Sequence, residues 1–310
     1  MALSGWVCVV TGASRGIGKG IALQLSEAGA TVYITGRQMK TLEQTAAEVN
    51  ERGGLCLPVI CDSTKDDDIK ELFERIKREQ NGRLDILVNN AFGGVHAIFD
   101  NMETKFWEYE PSVWDDVNNS GLRGHYFCCV YAARIMVPQG KGLIVTISSI
   151  GGLRYLFNVP YGVGKAACDR MAVDTAVELK SLGVASVSLW PGAVQTELVN
   201  EHVIEKEKPP GFDDNFKEVY NKGETIELSG KCIVELAKDK NLMKLTGKVL
   251  LTCDLARRYK LRDVDGRDIF DLKSLKFLLT QSPSTSWLSV ITPSFIRVPS
   301  FVFGLASSKF

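Results

Sequence analysis

A doubly wound α/β fold, one parallel sheet with helices on both faces, is what this sequence predicts. Two observations carry the prediction. Short apolar runs alternate with amphipathic helical stretches from Trp6 to about Leu255, without a linker-like segment, internal repeat or low-complexity tract. The first run also breaks into closely spaced glycines just before a helix begins. Strands buried on both faces read as such continuous apolar runs, which is the habit of parallel sheets.

The first strand is expected at Trp6–Val10. A tight turn follows in T11-G-A-S-R-G-I-G18, then a helix in which Ile17, Ile21 and Leu25 recur at helical spacing. Gly12, Gly16 and Gly18, with Ser14, Arg15 and Ile17 between them, let backbone amides approach a pyrophosphate at the helix N-terminus. Their spacing is Gly-x3-Gly-x-Gly rather than the common Gly-x-Gly-x-x-Gly.

The second strand, Ala30–Thr35, ends at Gly36 and Arg37. An acidic residue there would bind the ribose 2′-hydroxyl of NAD. Arg37, with Arg15 in the first turn, instead suits a 2′-phosphate that guanidinium groups grip in pairs. The expected cofactor is therefore NADPH/NADP. The third strand, Leu57–Cys61, ends at Asp62 and Ser63, placed for an adenine ring. The fourth, Leu84–Val88, ends at Asn89-Asn90-Ala91.

Further along, Tyr161 and Lys165 stand four apart in Y161-G-V-G-K165, one turn from each other on a helix face. A phenol holds its proton to about pH 10, and a nearby ammonium favours the phenolate. That would make the tyrosine usable as an acid/base near neutral pH. The spacing alone is common on helix surfaces; the glycine turn is what gives it meaning.

Taken in order, T11-G-A-S-R-G-I-G18, N89-N-A91, S148-S149, Y161-x3-K165 and P191-G-A-V-Q-T196 resemble the motifs of the classical short-chain dehydrogenase/reductases. The resemblance spans roughly residues 4 to 255. It implies a Rossmann-like single domain over 1–259, with a substrate lid at 196–230 and a C-terminal extension at 260–310. It implies that Tyr161 donates the proton to a substrate carbonyl and that Lys165 binds the nicotinamide ribose and tunes the tyrosine. Ser149 would hydrogen-bond the carbonyl and its developing charge, with Ser148 as the alternative. Val194, through its backbone, and Thr196 would hold the nicotinamide carboxamide.

Two positions depart from the family pattern. Aligning L122-R-G124 puts Gly121 where the family has an asparagine that supports a proton-relaying water. Phe92 stands where the family has glycine. Asn118, one helical turn before Gly121, or the Gly121 carbonyl could serve in the asparagine's place. Gly121 leaves a second reading open: a nucleotide-binding scaffold or redox sensor with weak catalysis.

The 37 basic and 37 acidic residues balance, which argues against an electrostatic nucleic-acid partner. None of the eight cysteines forms a C-x-x-C pair and the three histidines lack ligand spacing, so no metal is expected. Scattered cysteines read as core residues of a reducing compartment, and His125 as structural. The first residues lack the basic and apolar regions of a secretory leader.

Past Thr196 the chain is charged and carries prolines, a composition that permits lid motion. Val95, Phe99, Leu153, Tyr155, Phe157 and Phe212 could line an apolar pocket or belong to the core. An apolar pocket fits a lipophilic ketone or aldehyde, a steroid or xenobiotic carbonyl, as the small-molecule substrate. Residues 287–306 are rich in apolar and aromatic side chains, but Pro293, Arg297 and Pro299 interrupt them. The segment reads as interfacial, making peripheral membrane contact, or as folded back on the core. The final Ser308-Lys309-Phe310 is one residue from a peroxisomal address. The resemblance implies the cytosolic face of the endoplasmic reticulum, with cytoplasm or peroxisome as alternatives, and a homodimer paired through the helices of Trp114–Arg134 and Tyr161–Lys180.

Overall fold

In the computed structural model, which describes residues 1–205, 214–280, 284–299 and 302, seven strands form one parallel sheet. They are β1 (Val7–Val10), β2 (Thr31–Gly36), β3 (Leu55–Ile60), β4 (Ile86–Asn89), β5 (Gly142–Ile147), β6 (Val184–Trp190) and β7 (Val249–Leu251), in the order β3-β2-β1-β4-β5-β6-β7. The first four lie within two residues of their expected bounds. The chain winds outward to β3, then crosses back to lay β4 beside β1, with Cys8 opposite Ile86. The C-terminal ends of β1 and β4 therefore diverge into a crevice, the usual ligand position in such sheets.

Strand residues alternate between two cores. Cys8 and Val10 face one, with α1 (Gly16–Glu27) and α2 (Met39–Glu51); Val7 and Val9 face the other, with α3 (Asp66–Glu79). Between β4 and β5 come α4 (Val95–Asp100), α5 (Val113–Asn118), a π-turn at Asn119–Gly124 and α6 (His125–Gln139). The long α7 (Val159–Leu179) leads to β6. After it lie α8 (Glu197–Val199), a second π-turn at Asn200–Ile204, α9 (Asp214–Asn221) and α10 (Leu228–Lys238), which packs on α1. Phe212 falls outside the described residues, as do Ser308, Lys309 and Phe310.

Beyond α11 (Thr252–Tyr259) the extension returns across the core as a strap. Leu272, Phe270 and Phe277 pack with Trp190, Leu251 and Leu153, so Leu153 joins this core rather than the pocket. Arg297 clasps the strap to α11: its guanidinium donates to Asp254 at 2.6 Å and to Asp271 at 2.5 Å. Lys273 adds a 3.0 Å contact to Asp254. The strap holds the short α12 (Leu275–Thr280) and α13 (Leu288–Ile291). Trp287, Val290, Ile291 and Phe295 remain exposed. The extension thus folds back along one stretch and faces outward along the other. Among the described residues no helix is long and apolar enough to cross a membrane.

Candidate active site

A cavity of about 1280 Å³ lies over the C-terminal ends of the strands. Its wall follows the sheet order, from Arg37 after β2 and Asp62 after β3, past the turn after β1, to Ser149 after β5 and the strap beyond β7.

The centre is built by the start of α7. Asn158 adopts an extended backbone and caps the helix, its Oδ1 accepting the Tyr161 N–H at 2.9 Å. Helical spacing then turns Tyr161 and Lys165 to the same side, where both are buried yet border the cavity. Lys165 Nζ donates to the Ile147 carbonyl at 3.0 Å, at the end of β5. The next residues along that strand exit, Ser148 and Ser149, diverge. Ser148 Oγ donates to the Lys165 carbonyl at 3.1 Å, tying α7 to the sheet. Ser149 accepts the Gly151 N–H at 3.1 Å and lies near enough to the Tyr161 phenol to lower its pKa. Of the two serines, Ser149 is therefore the one paired with the tyrosine.

The electrostatics differ from the expectation drawn from spacing. Burial pushes the Tyr161 phenol up to about 12, and the nearby Ser149 hydroxyl only moderates this. Lys165 Nζ stands 5.8 Å from the tyrosine ring centroid and does not reverse it. Burial also lowers Lys165 from its ordinary value, against the pull of Cys168 and Asp169. The phenol is accordingly held protonated, which suits a proton donor.

At the glycine turn, Gly12, Ser14, Arg15 and Ile17 border the cavity, whereas Gly18 lies behind it. A Cβ on Gly18 would come within 2.4 Å of Asn90 Nδ2, so this glycine serves the packing of α1 on the strands. Arg15 and Arg37 border the cavity as exposed side chains, and among the described residues neither pairs with a carboxylate. Asp62 is also on the wall, its Oδ1 accepting Thr64 N–H at 3.0 Å.

Asn89 is not on the wall. It is the last residue of β4, fully buried, and its amide donates to the His125 carbonyl at 3.3 Å and to Cys129 Sγ at 3.1 Å. Strand alternation sends Asn90 to the other side. There its amide joins the Thr11 and Gly12 carbonyls, each at 2.9 Å, and it borders the cavity in place of Asn89. Val194 and Thr196 line the cavity beside Pro191 and Gly192. Val194 forms a parallel bridge with Glu224, and Thr196 Oγ1 caps α8 by accepting Val199 N–H at 3.3 Å.

The two departures from the family pattern meet. Phe92 lies against Gly121, and a Cβ at residue 121 would be 2.7 Å from Phe92 Cδ2. Asn118 does not reach Lys165; its amide donates to the Pro160 carbonyl at 3.2 Å. The Gly121 carbonyl accepts the Cys168 thiol at 3.2 Å. His125 is fully buried, with Nε2 3.0 Å from the Ala91 carbonyl, and burial lowers it to about 3, keeping it neutral.

Val95, Phe99, Tyr155 and Phe157 line the cavity. So do residues that sequence reasoning missed: Leu198 and Tyr220 in the segment after Thr196, and Leu272, Phe277, Thr280 and Ser286 of the strap. Glu197 was missed too: its Oε2 accepts the Gly16 N–H at 2.9 Å. A carboxylate on this turn amide stands where an anionic ligand oxygen would sit. Together with Arg15, Arg37 and the length of the cavity, it fits the turn to a dinucleotide.

The short chain dehydrogenase family model matches residues 6–207. The chain is 58% identical over 310 residues to "Dehydrogenase/reductase SDR family member 1" of Homo sapiens, covering 99% of each, and equally identical to that of Mus musculus. A 3beta-hydroxysteroid dehydrogenase of Mediterraneibacter gnavus is 32% identical over 193 residues, covering 62% of this chain and 67% of its own. Among solved structures, a putative short-chain alcohol dehydrogenase from Sinorhizobium meliloti superposes with a TM-score of 0.67 at 26% identity, over 81% of this chain and 95% of its own. A 7α-hydroxysteroid dehydrogenase crystallised with NADH and 7-oxo glycochenodeoxycholic acid shares the fold at TM-score 0.69 and 22% identity, over 80% of this chain and 93% of its own. With its parallel sheet, glycine turn and Ser149–Tyr161–Lys165 cluster, the chain belongs to the short-chain dehydrogenase/reductase family of NAD(P)-dependent oxidoreductases.

Proposed function

We propose that the protein is an NADPH-dependent carbonyl reductase that converts lipophilic ketones and aldehydes, such as steroid or xenobiotic carbonyls, to alcohols. The observation that carries this reading is the Ser149–Tyr161 pair bordering a cavity whose apolar lining includes Phe99, Phe157, Leu272 and Phe277. Such side chains reward apolar substrate surface. The bound nicotinamide supplies the hydride.

The chain's own residues do the rest. Ser149 and Tyr161 orient the carbonyl oxygen, and the protonated phenol delivers its proton to that oxygen as charge develops there. Lys165 binds the nicotinamide ribose. Arg15 and Arg37 hold the 2′-phosphate of NADPH, while Asp62 and the turn around Gly12 receive the rest of the dinucleotide, and Val194 and Thr196 its carboxamide. Phe92 fills the space beside Gly121, and the scaffold reading is separated from this one by whether NADPH binds without turnover. A thiol-based sensor gains no support: all eight cysteines are buried, and burial pushes Cys61 and Cys129 up to about 12.

The exposed Trp287, Val290, Ile291 and Phe295, next to the cavity residue Ser286, support peripheral membrane contact; the cytosolic face of the endoplasmic reticulum is the membrane that the family resemblance suggests. Flotation with anionic and neutral vesicles tests it; a protein that stays with the soluble fraction in both contradicts it. Exposed Tyr126 on α6 and Val163, Val173 and Val177 on α7 support a homodimer. A monomer mass by light scattering would reject that pairing. The function itself is tested by NADPH oxidation against lipophilic ketones and aldehydes; binding of NADPH without turnover of any of them contradicts it.

A further inference from the structure

The buried Lys165 ammonium has three N–H groups and, among the described residues, one hydrogen bond, to Ile147. The carboxylate nearest in sequence, Asp169, accepts Ser188 Oγ at 2.6 Å and Trp190 Nε1 at 2.9 Å. Asn118, His125 and the Gly121 carbonyl have other partners, described above. What faces the ammonium is an aromatic ring: Nζ lies 5.0 Å from the Phe92 centroid, closer than the 5.8 Å to Tyr161. The negative face of such a ring attracts a cation, more strongly in a dry site than in water.

The same ring meets Tyr161 edge-on, with centroids 5.9 Å apart at 79°. It can lie there because residue 121 is glycine. The π-turn carrying Gly121 also directs the carbonyl of that residue to Cys168 rather than to Lys165. We infer that Phe92 is a positioning residue for the catalytic pair, its ring face holding the Lys165 ammonium in place while the ring packs at a steep angle against Tyr161. Gly121 is the matching vacancy, so the two residues form one device. The inference deepens the proposed function and rests on Lys165 acting there as a cation.

The titratable groups facing Lys165 are Cys168 and Asp169 on α7, His125 on α6, and Tyr161. Burial pushes Cys168 up to about 11 and holds His125 at about 3, so both stay neutral near pH 7. Removing the ring face takes stabilisation from the cation and must lower the Lys165 titration midpoint.

The test is carbon NMR of cofactor-free protein carrying ¹³Cε-lysine, with the Lys165 signal assigned through Lys165→Arg. Phe92→Leu is expected to lower the Lys165 midpoint by about one unit. Replacing Phe92 by 3,5-difluorophenylalanine keeps the ring's shape and drains its face of charge, so the midpoint should fall by a smaller step. Gly121→Ala should shift it the same way, without adding to Phe92→Leu. An unmoved midpoint in the fluorinated protein overturns the inference, even if the leucine variant folds poorly. The readout needs no turnover, so it stands apart from a failure of the carbonyl-reductase reading. If turnover is present, the alkaline limb of kcat should move down with the midpoint; a uniform loss of kcat at every pH would reduce Phe92 to packing.

Discussion

Phe92 and Gly121 occupy one space: the ring's Cδ2 sits 2.7 Å from the point where a side chain at residue 121 would begin. Restoring asparagine at 121 alone therefore does not restore a relay. Gly121→Asn should destabilise the protein by about 1–3 kcal/mol through overpacking and lower the reductase rate. Pairing it with Phe92→Gly should recover most of the stability. Thermal unfolding and NADPH oxidation of the three variants check this. A rate gain in the single variant would mean that the native site is compromised.

Arg37 borders the cavity without a carboxylate partner among the described residues. Arg37→Asp should remove charge-assisted bonds of about 1.5–3 kcal/mol from a 2′-phosphate, weakening NADPH roughly 10- to 100-fold and NADH little. Fluorescence titration with both nucleotides decides it. An unchanged ratio of affinities would sink the cofactor preference.

Glu224 is a buried carboxyl next to the Val194 strand bridge, and burial raises it to about 8 even though its Oε1 accepts the Thr252 hydroxyl at 2.5 Å. Its folded value lies above its unfolded one. The folded state then holds a proton that the unfolded state has lost, and stability falls as pH rises from about 4.5, ordinary for glutamate, toward 8. Glu224→Gln keeps an acceptor for Thr252 and removes the titration. Its melting temperature should decline less than the parent's between pH 5 and pH 8. Parallel curves for the two proteins would contradict this.

The strap should couple stability to substrate binding. Phe277 forms cavity wall, and Arg297 fastens the strap to Asp254 and Asp271. Phe277→Ala should raise KM for bulky lipophilic carbonyls about tenfold through lost apolar contact, leaving NADPH affinity unchanged. Arg297→Ala should act in the same direction and cost about 1 kcal/mol of stability, since its ion pairs are partly exposed. Unaltered KM in both variants would leave the strap outside the substrate site.

The strands were legible because apolar runs such as Val7–Val10 must be buried on both faces. The Ser149–Tyr161–Lys165 cluster was legible because Tyr161 and Lys165 share a helix face. What failed depended on three-dimensional neighbours. Asn89 and Asn90 are alike in sequence, and only the pleat sends one into the core and the other to the cavity. Phe92 and Gly121 looked like two separate departures, since nothing in a linear pattern tells that their side-chain volumes are exchanged. The Tyr161 phenol was expected to fall beside a lysine, but its burial outweighs the charge. Leu153 read equally as pocket or core until the strap arrived to cover it.

The most direct test of the account is NADPH oxidation by the purified protein and by Tyr161→Phe, against a panel of lipophilic ketones and aldehydes. The account predicts turnover that falls by at least about 100-fold in the variant, with NADPH affinity within a few-fold of the parent's. Near-normal turnover by Tyr161→Phe would contradict it.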